Sequence, residues 1–375
     1  MLTQEQTMIR DAARSFARDK LAPTAAAREA AAEIPKDIRD ELGAMGFLGM
    51  TIPEEKGGAG ADYVSYALAL MEIAWGDGAV STMVSVHNAP FLAILDRFAS
   101  PAQQERWLRP AAQGAFIGCF ALTESQAGSD AGSVRTKAVR RGNGWSVNGS
   151  KQFISSARIG GATILFAVTD PSAGKKGISA FIAANDAPGF SVSKVESKIG
   201  QRASDTCALS FDDMELDSDA LIGTEGQGYS IALSSLETGR IGIAAQSVGM
   251  AQAAFDHALV YARERQTFGK PIFDHQAVQF RLADMDTQIE AGRQMVLNAA
   301  RMKDAGIPCL REAAMAKLFA SEMAERVCSD AIQTLGGYGY LSDYPVERIW
   351  RDVRVCQIYE GTSDIQKLII ARQMP

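Results

Sequence analysis

Residues 359–366 read Tyr-Glu-Gly-Thr-Ser-Asp-Ile-Gln and set one carboxylate, Glu360, between an apolar strip (Val353, Val355, Ile358) and a helix start. A carboxylate so placed can act as a base in a dry site. Thr362, Ser363 and Asp364 are residue types that cap a helix, here one bearing Ile365, Leu368, Ile369 and Ile370. Gly361 lets the chain turn beside the acid and leaves room for a ligand. A helix N-terminus lowers a carboxyl pKa and burial against an apolar ligand raises it, so the basicity of Glu360 depends on whether the site is filled. A single Glu among 44 acidic residues is by itself far more often a solvated surface group. The rest of the chain reverses those odds.

The elements that must position this carboxylate are legible in the periodicity. Up to about residue 117 the spacing is helical: Ile9, Ala12, Ala13, Phe16 and Ala17 share one face, and 66–73 is strongly apolar, with breaks at Pro23, Pro35, Pro53, Pro90 and Pro101. From about 118 to 222 come short β-type runs at 145–147, 162–169, 177–183 and 206–211, with Gly142-Asn143-Gly144 and Asn148-Gly149 as turn signals. Helical spacing returns over roughly 225–263, 275–304 and 309–335, followed by a short helix around 346–351 and the final one. This order predicts an α+β chain, mostly α, with an N-terminal helical domain (1–117), a central β domain (118–222) and a C-terminal helical bundle domain (223–375). Without internal repeats or a low-complexity linker, the three are expected to pack as one body.

A length of 375 residues and 47% hydrophobic content support a substantial core. No apolar run is expected to approach the ~18 residues of a membrane span. The start, Met1-Leu2-Thr3-Gln4-Glu5, has neither a secretory pattern nor an Arg-rich transit pattern, so a bacterial cytoplasmic protein is the preferred reading and a processed mitochondrial matrix protein the other. A net charge of -6 with both signs interspersed argues against a nucleic-acid binder. Cys119, Cys207, Cys309, Cys328 and Cys356 are far apart and expected to be reduced and mostly buried. His87, His257 and His275 form no cluster with metal-ligand spacing, so the hard chemistry falls to an organic cofactor.

Three further motifs precede the Glu-Gly-Thr-Ser segment: Leu-Thr-Glu-Ser-Gln-Ala-Gly-Ser-Asp at 122–130, Arg-Gln-Thr-Phe-Gly at 265–269 and Gln-Thr-Leu-Gly-Gly-Tyr-Gly at 333–339. With these four in register over essentially its whole length, the chain resembles the acyl-CoA dehydrogenase family, flavoenzymes that desaturate acyl-CoA thioesters. The resemblance implies a small β-barrel between two helical domains, the second a four-helix bundle. It implies FAD as acceptor of a β-hydride while Glu360 takes the α-proton, with the thioester oxygen met by the Glu360 N–H and a ribityl hydroxyl. Phe120, Leu122, Thr123, Ser129, Phe153, Ile154 and Ser155 then contact FAD, and Ser129 also touches substrate. Ser125 stands where a proline is common. Arg265 would hold the pyrophosphate with its two-pronged guanidinium. Phe268, Gln276, Gln333, Gly336, Gly337, Thr362 and Asp364 are further cofactor positions. Those from 265 to 337 are expected to reach the FAD of a neighbouring subunit in a homotetramer, a dimer of dimers.

Some relatives carry the base instead on a helix matching Leu236-Glu237-Thr238-Gly239-Arg240, where the corresponding position is Gly239 and cannot act as one. Glu237 and Arg240 resemble CoA-contact residues, Arg240 being otherwise an ordinary exposed arginine, and Gly361 lies at the substrate. The segment 198–206 reads as structural, a β-turn with solvated charges. The implied substrate is a short- to medium-chain acyl-CoA, straight or branched, with electrons leaving through an electron-transferring flavoprotein. The alternatives are an acyl-CoA oxidase using oxygen, or a non-catalytic flavin- or DNA-binding relative, for which a basic surface and a lost base would be expected. Pocket depth would depend in part on Val84-Ser85-Val86-His87-Asn88.

Overall fold

The computed structural model describes residues 2–374. Its first helix, Gln4–Phe16, starts in a reciprocal Thr3–Gln6 capping box. The helix Tyr63–Gly76 is apolar nearly all round and is therefore buried nearly all round. Asp77 caps the next helix, Gly78–Val86, by accepting from the Ala79 and Val80 N–H groups, and also takes a buried ion pair from Arg28 at 2.7 Å. Contrary to the expectation that no run is long enough, Gly78–Phe98 has the length and composition of a membrane span. Its apolar window is 89% buried inside the protein, and the helix breaks at Ala89, before Pro90.

Strands β1 (Gly118–Ala121), β2 (Lys137–Arg141), β3 (Gly144–Ser155), β4 (Ala162–Val168), β5 (Ile178–Ala184), β6 (Phe190–Val195), β7 (Thr206–Leu216) and β8 (Leu221–Ile222) form one sheet. Its order is β6-β7-β3-β2-β4-β5-β8, with β1 added parallel to β4. The sheet wraps around Cys119, Trp145, Val147, Leu165, Phe181, Leu209 and Phe211. It is barrel-like without full hydrogen-bonded closure: β6 and β8 are its two ends, and β2 meets β4 at one pair, Lys137 with Val168. The other face of β4 and β5, through Ile164, Phe166, Ala180 and Ile182, packs on Phe91, Leu92 and Leu95. Asn148-Gly149 does not turn the chain. It forms a bulge within β3, where a Cβ on Gly149 would lie 2.7 Å from Thr136, and Asn148 exchanges two hydrogen bonds with Asp213.

The helices Gly228–Glu264, Gln276–Asp304, Leu310–Leu335 and Ser363–Arg372 form the C-terminal bundle, with Pro345–Val353 beside them and Leu310–Leu335 in contact with each of the others. Ile241, Val248, Leu282, Ile289, Val296 and Val327 share a core with Leu70 and Ile73, so the two helical parts are welded by apolar packing. The 198–206 segment is structural but is not a solvated turn. Gln201 and Asp205 are buried, and Gln201 donates to Asp352 and accepts from Thr82 (2.6 Å), docking the β part onto both helical parts.

Candidate active site

Glu360 follows a short 3-10 turn, Arg354–Gln357, and precedes the helix Ser363–Arg372, whose start is capped by the Thr362 hydroxyl accepting from the Ile365 N–H at 3.4 Å. Thr362 is thus the cap, and Ser363 and Asp364 fall in the first turn. Glu360 (φ +52°) and Gly361 (φ +94°) are both left-handed, which for a glutamate costs on the order of 1 kcal/mol. Side chains from two helices hold the turn. Gln366 Nε2 donates to the Glu360 carbonyl (3.2 Å) and the Gly361 carbonyl (2.8 Å), and Lys317 Nζ donates to the Gly361 carbonyl (2.8 Å). On the preceding side, the Tyr359 hydroxyl is bonded to Gln246 and lies 3.4 Å from Thr82 Oγ1. Among the described residues the Glu360 N–H has no acceptor.

Glu360 keeps part of its surface open, yet both carboxylate oxygens are buried and have no hydrogen-bond partner. Burial pushes its pKa up to about 7, against the lowering pull of Arg240 and Lys317. Arg240 is not the exposed arginine of the alternative reading. It is buried, its Nε lacks a partner, and desolvation lowers its pKa against the opposing pull of Glu360 and Glu237. Glu237 pairs with Lys303 at 2.9 Å. A Cβ on Gly239 would stand 2.7 Å from Glu360 Cδ and 2.9 Å from Oε1, and closer still to Oε2. The two positions that could carry a base therefore address one spot, and glycine leaves it to Glu360. One turn along the same helix, a Cβ on Gly242 would meet Ser85 Oγ at 2.6 Å and the Tyr66 hydroxyl at 2.9 Å, two more buried oxygens without a partner. Unsatisfied buried oxygens converging on two glycines mark a place for a ligand. His87, two residues beyond Ser85, is structural: its ring accepts from the Gly118 N–H, meets the Ala111 carbonyl, and burial holds its pKa down to about 4.

A second group of residues lies on the β part. Phe120 and Thr123 are half-buried, Leu122 is in the core and Ser129 is exposed. Behind this loop Glu124 and Lys151 form a buried ion pair at 2.8 Å. Glu124 also accepts from the N–H groups of Arg135 (2.6 Å) and Thr136 (3.0 Å), and Lys151 donates to the Leu122 carbonyl (3.0 Å). Sequence reasoning missed this pair, although both members sit inside or beside motifs it singled out. Burial pushes Glu124 up, but Lys151 and the surrounding donors win and hold it at about 2. The stability it supplies is therefore fully present above the ordinary Glu pKa of 4.5 and lost as pH falls toward 2. Lys151→Met, which strands the buried carboxylate, is expected to cost about 3–5 kcal/mol, read as a lowered Tm at pH 7. Phe153 is not a core residue: it is left-handed (φ +61°) and 62% exposed. Ile154 is in the β core, so only its backbone can face a ligand, and Ser155 is half-buried.

A third group gathers at the far end of the bundle. The Arg265 guanidinium lies 5.6 Å from the Tyr338 ring centre. Phe268, left-handed and 96% exposed, tips a hairpin between Gln266–Thr267 and Lys270–Pro271. Gln276, Gln333, Gly336 and Gly337 are exposed, and a Cβ on either glycine would meet nothing within 4 Å. Among the described residues no hydrogen bond or ion pair joins this group to the one around Phe153. Two open clefts elsewhere, one beside Trp75 and His257 and one lined by Arg10, Arg14, Arg18, Arg293 and Arg301, contain none of these residues.

Three family models match the chain in succession: the N-terminal domain of acyl-CoA dehydrogenase over residues 3–115, its middle domain over 119–214 and its C-terminal domain over 226–374. The sequence is similar to an acyl-CoA dehydrogenase of Bacillus subtilis, 46% identical over 373 residues, covering 100% of this chain and 98% of that one. The fold is similar to butyryl-CoA dehydrogenase from Megasphaera elsdenii, with a TM-score of 0.97 and 40% identity over 99% of this chain and 98% of that one. It is equally similar to a chain in a structure described as the electron transferring flavoprotein of Acidaminococcus fermentans, with a TM-score of 0.98 and 42% identity over 99% of this chain and 98% of that one.

Proposed function

The chain belongs to the acyl-CoA dehydrogenase family of oxidoreductases, and from that premise we propose that it is an FAD-dependent enzyme in which Glu360 removes the α-proton of a short- to medium-chain acyl-CoA to give a trans-2-enoyl-CoA. The observation behind this reading is the Glu360 carboxylate itself, buried, unpartnered and seated against a glycine. When the C–H bond at the α-carbon breaks, its proton passes to a Glu360 oxygen. The charge that builds on the thioester oxygen is met by the Glu360 N–H, which has no other acceptor among the described residues. Gly361 and Ser129 flank the thioester. The Tyr66 and Ser85 hydroxyls close the pocket about one helical turn, roughly 5 Å, beyond the base, which favours short acyl chains.

The residues present suit FAD. Phe153 offers an open aromatic face beside the Thr123 and Ser155 hydroxyls, and Arg265 with the uncrowded Gly336 and Gly337 offers a fork and close backbone approach for a pyrophosphate. Bound FAD supplies the acceptor for the β-hydride. Arg265, Phe268, Gln276 and Gln333 serve the cofactor of a neighbouring subunit in a homotetramer, a reading supported by their exposure and by the exposed Phe268, Phe280 and Tyr340 as apolar contact surface. Domain boundaries near 117/118 and 222/223 and a bacterial cytoplasmic location complete the proposal. Electrons pass to an electron-transferring flavoprotein, the kind of protein named for the Acidaminococcus structure.

Anaerobic mixing of the yellow holoenzyme with butyryl-CoA should bleach the flavin; an unchanged spectrum would overturn the reading. Because Glu360 must be ionised to accept a proton and burial holds its pKa at about 7, kcat/KM is expected to fall tenfold per unit below pH 7 and to level off above it.

A further inference from the structure

Lys317 is fully buried in the helix Leu310–Leu335, and among the described residues it has no carboxylate within ion-pair distance. Among the described residues its ammonium group makes one hydrogen bond, to the Gly361 carbonyl at 2.8 Å. A buried ammonium is costly unless something compensates it, and a methionine or leucine would fill the same space in a bundle core without that cost. The charged and titratable groups acting on Lys317 are Cys356 from the 3-10 turn, Glu360 from the loop, Arg240 from the helix Gly228–Glu264 and Glu322 from its own helix. Those acting on Glu360 are Arg240 and Lys317, and the Tyr66 hydroxyl from Tyr63–Gly76 is coupled to it in turn. The Glu360 carboxylate is thus an anion shared by two buried cations, neither in direct contact with it.

We propose that Lys317 is a positioning residue for proton abstraction: it holds the left-handed Glu360–Gly361 turn through the Gly361 carbonyl and sets a fixed positive charge behind Glu360 that keeps the ionised base available in a dry site. The two duties are separable. Gln366 also donates to the Gly361 carbonyl, so the turn has a second hold, whereas the charge acting on Glu360 comes from Arg240 and Lys317 together, and of these, among the described residues, only Lys317 also bonds the turn. Burial pushes the Lys317 pKa down to about 8, so it is a cation over the range in which Glu360 must change from acid to base. This rests on Glu360 being the base.

The test compares holoenzymes. Lys317→Gln keeps a donor for the Gly361 carbonyl and removes the charge, and Lys317→Arg keeps the charge. Arg240 and Lys317 both pull the Glu360 pKa down, so on losing one of these two charges the acid limb of the kcat/KM profile in K317Q is expected to move up by about one pH unit. Activity at pH 7 then falls about fivefold, approaching tenfold at lower pH, and largely recovers at pH 9, while K317R keeps the wild-type limb. An equal loss at every pH in K317Q, or a limb displaced as far in K317R as in K317Q, would overturn the proposal. If K317Q does not accumulate as folded holoenzyme, K317R alone decides: a wild-type limb supports the charge role and a displaced limb refutes it. Failure of Glu360 as the base shows separately, as turnover surviving in Glu360→Gln.

Discussion

Glu360→Gln is expected to lower kcat by about 10²–10⁴-fold, the usual contribution of a general base, while FAD and acyl-CoA binding change little. Glutamine preserves the volume and the left-handed turn, and Lys317 and Gln366 grip backbone carbonyls that the substitution leaves in place. The same variant carries a stability signature that an ordinary surface substitution would lack. The folded pKa of Glu360 is raised to about 7 from an ordinary 4.5, so its contribution to stability is fully present below pH 4.5 and is lost as pH rises through 7. Removing the carboxylate therefore stabilises the fold at pH 8 by on the order of 3 kcal/mol and by almost nothing near pH 4. Melting temperatures of the two holoenzymes should diverge between about pH 4.5 and pH 7 and keep that separation above it; curves with the same separation at every pH would mean that the carboxylate is solvated.

Gly239→Ala is expected to have the second-largest effect. A methyl group at 239 would fall well inside contact distance of the Glu360 carboxyl group. The obstructed atoms are the end of a flexible side chain, so the carboxylate swings aside at little cost to the fold. Alanine also favours a helix over glycine by about 1 kcal/mol. Stability should thus hold or rise while kcat falls about 100-fold, because a displacement near 1 Å at the reacting group is enough for that. A fall in both Tm and kcat would point to general disruption instead, and an unchanged kcat would remove Gly239 from the base's surroundings.

Much of this organisation is legible in the residues. The long amphipathic runs appear as helices within a few residues of where their periodicity puts them, and the β runs around 145, 162, 177 and 206 all lie in strands. Four strands of the sheet escaped for different reasons, β8 because it has only two residues. β1 and β2 are only four and five residues long, and β6 is almost wholly exposed, so no buried face imprints alternation on it. Asn148-Gly149 misleads because the dipeptide that favours a two-residue turn also suits a bulge, and only the approach of Thr136 distinguishes them.

At the site, Glu360 announces itself through its local motif, whereas Lys317 and Lys151 do not. Lys317 is a lone lysine in an apolar stretch and Lys151 one of several polar residues in a strand, and the meaning of each depends on a carbonyl 44 residues away in the first case and a carboxylate 27 residues away in the second. Gly239 reads as a missing base in the sequence. In space it is the clearance that lets Glu360 occupy the shared spot.

The central claim, that Glu360 is the group that takes the α-proton, is tested most directly by solvent exchange. Wild-type holoenzyme and Glu360→Gln would each be incubated anaerobically with butyryl-CoA in deuterium oxide, and deuterium at C2 followed by mass spectrometry. Incorporation by the wild type and none above background by the variant is the expected result; incorporation by Glu360→Gln at a rate close to wild type would contradict it.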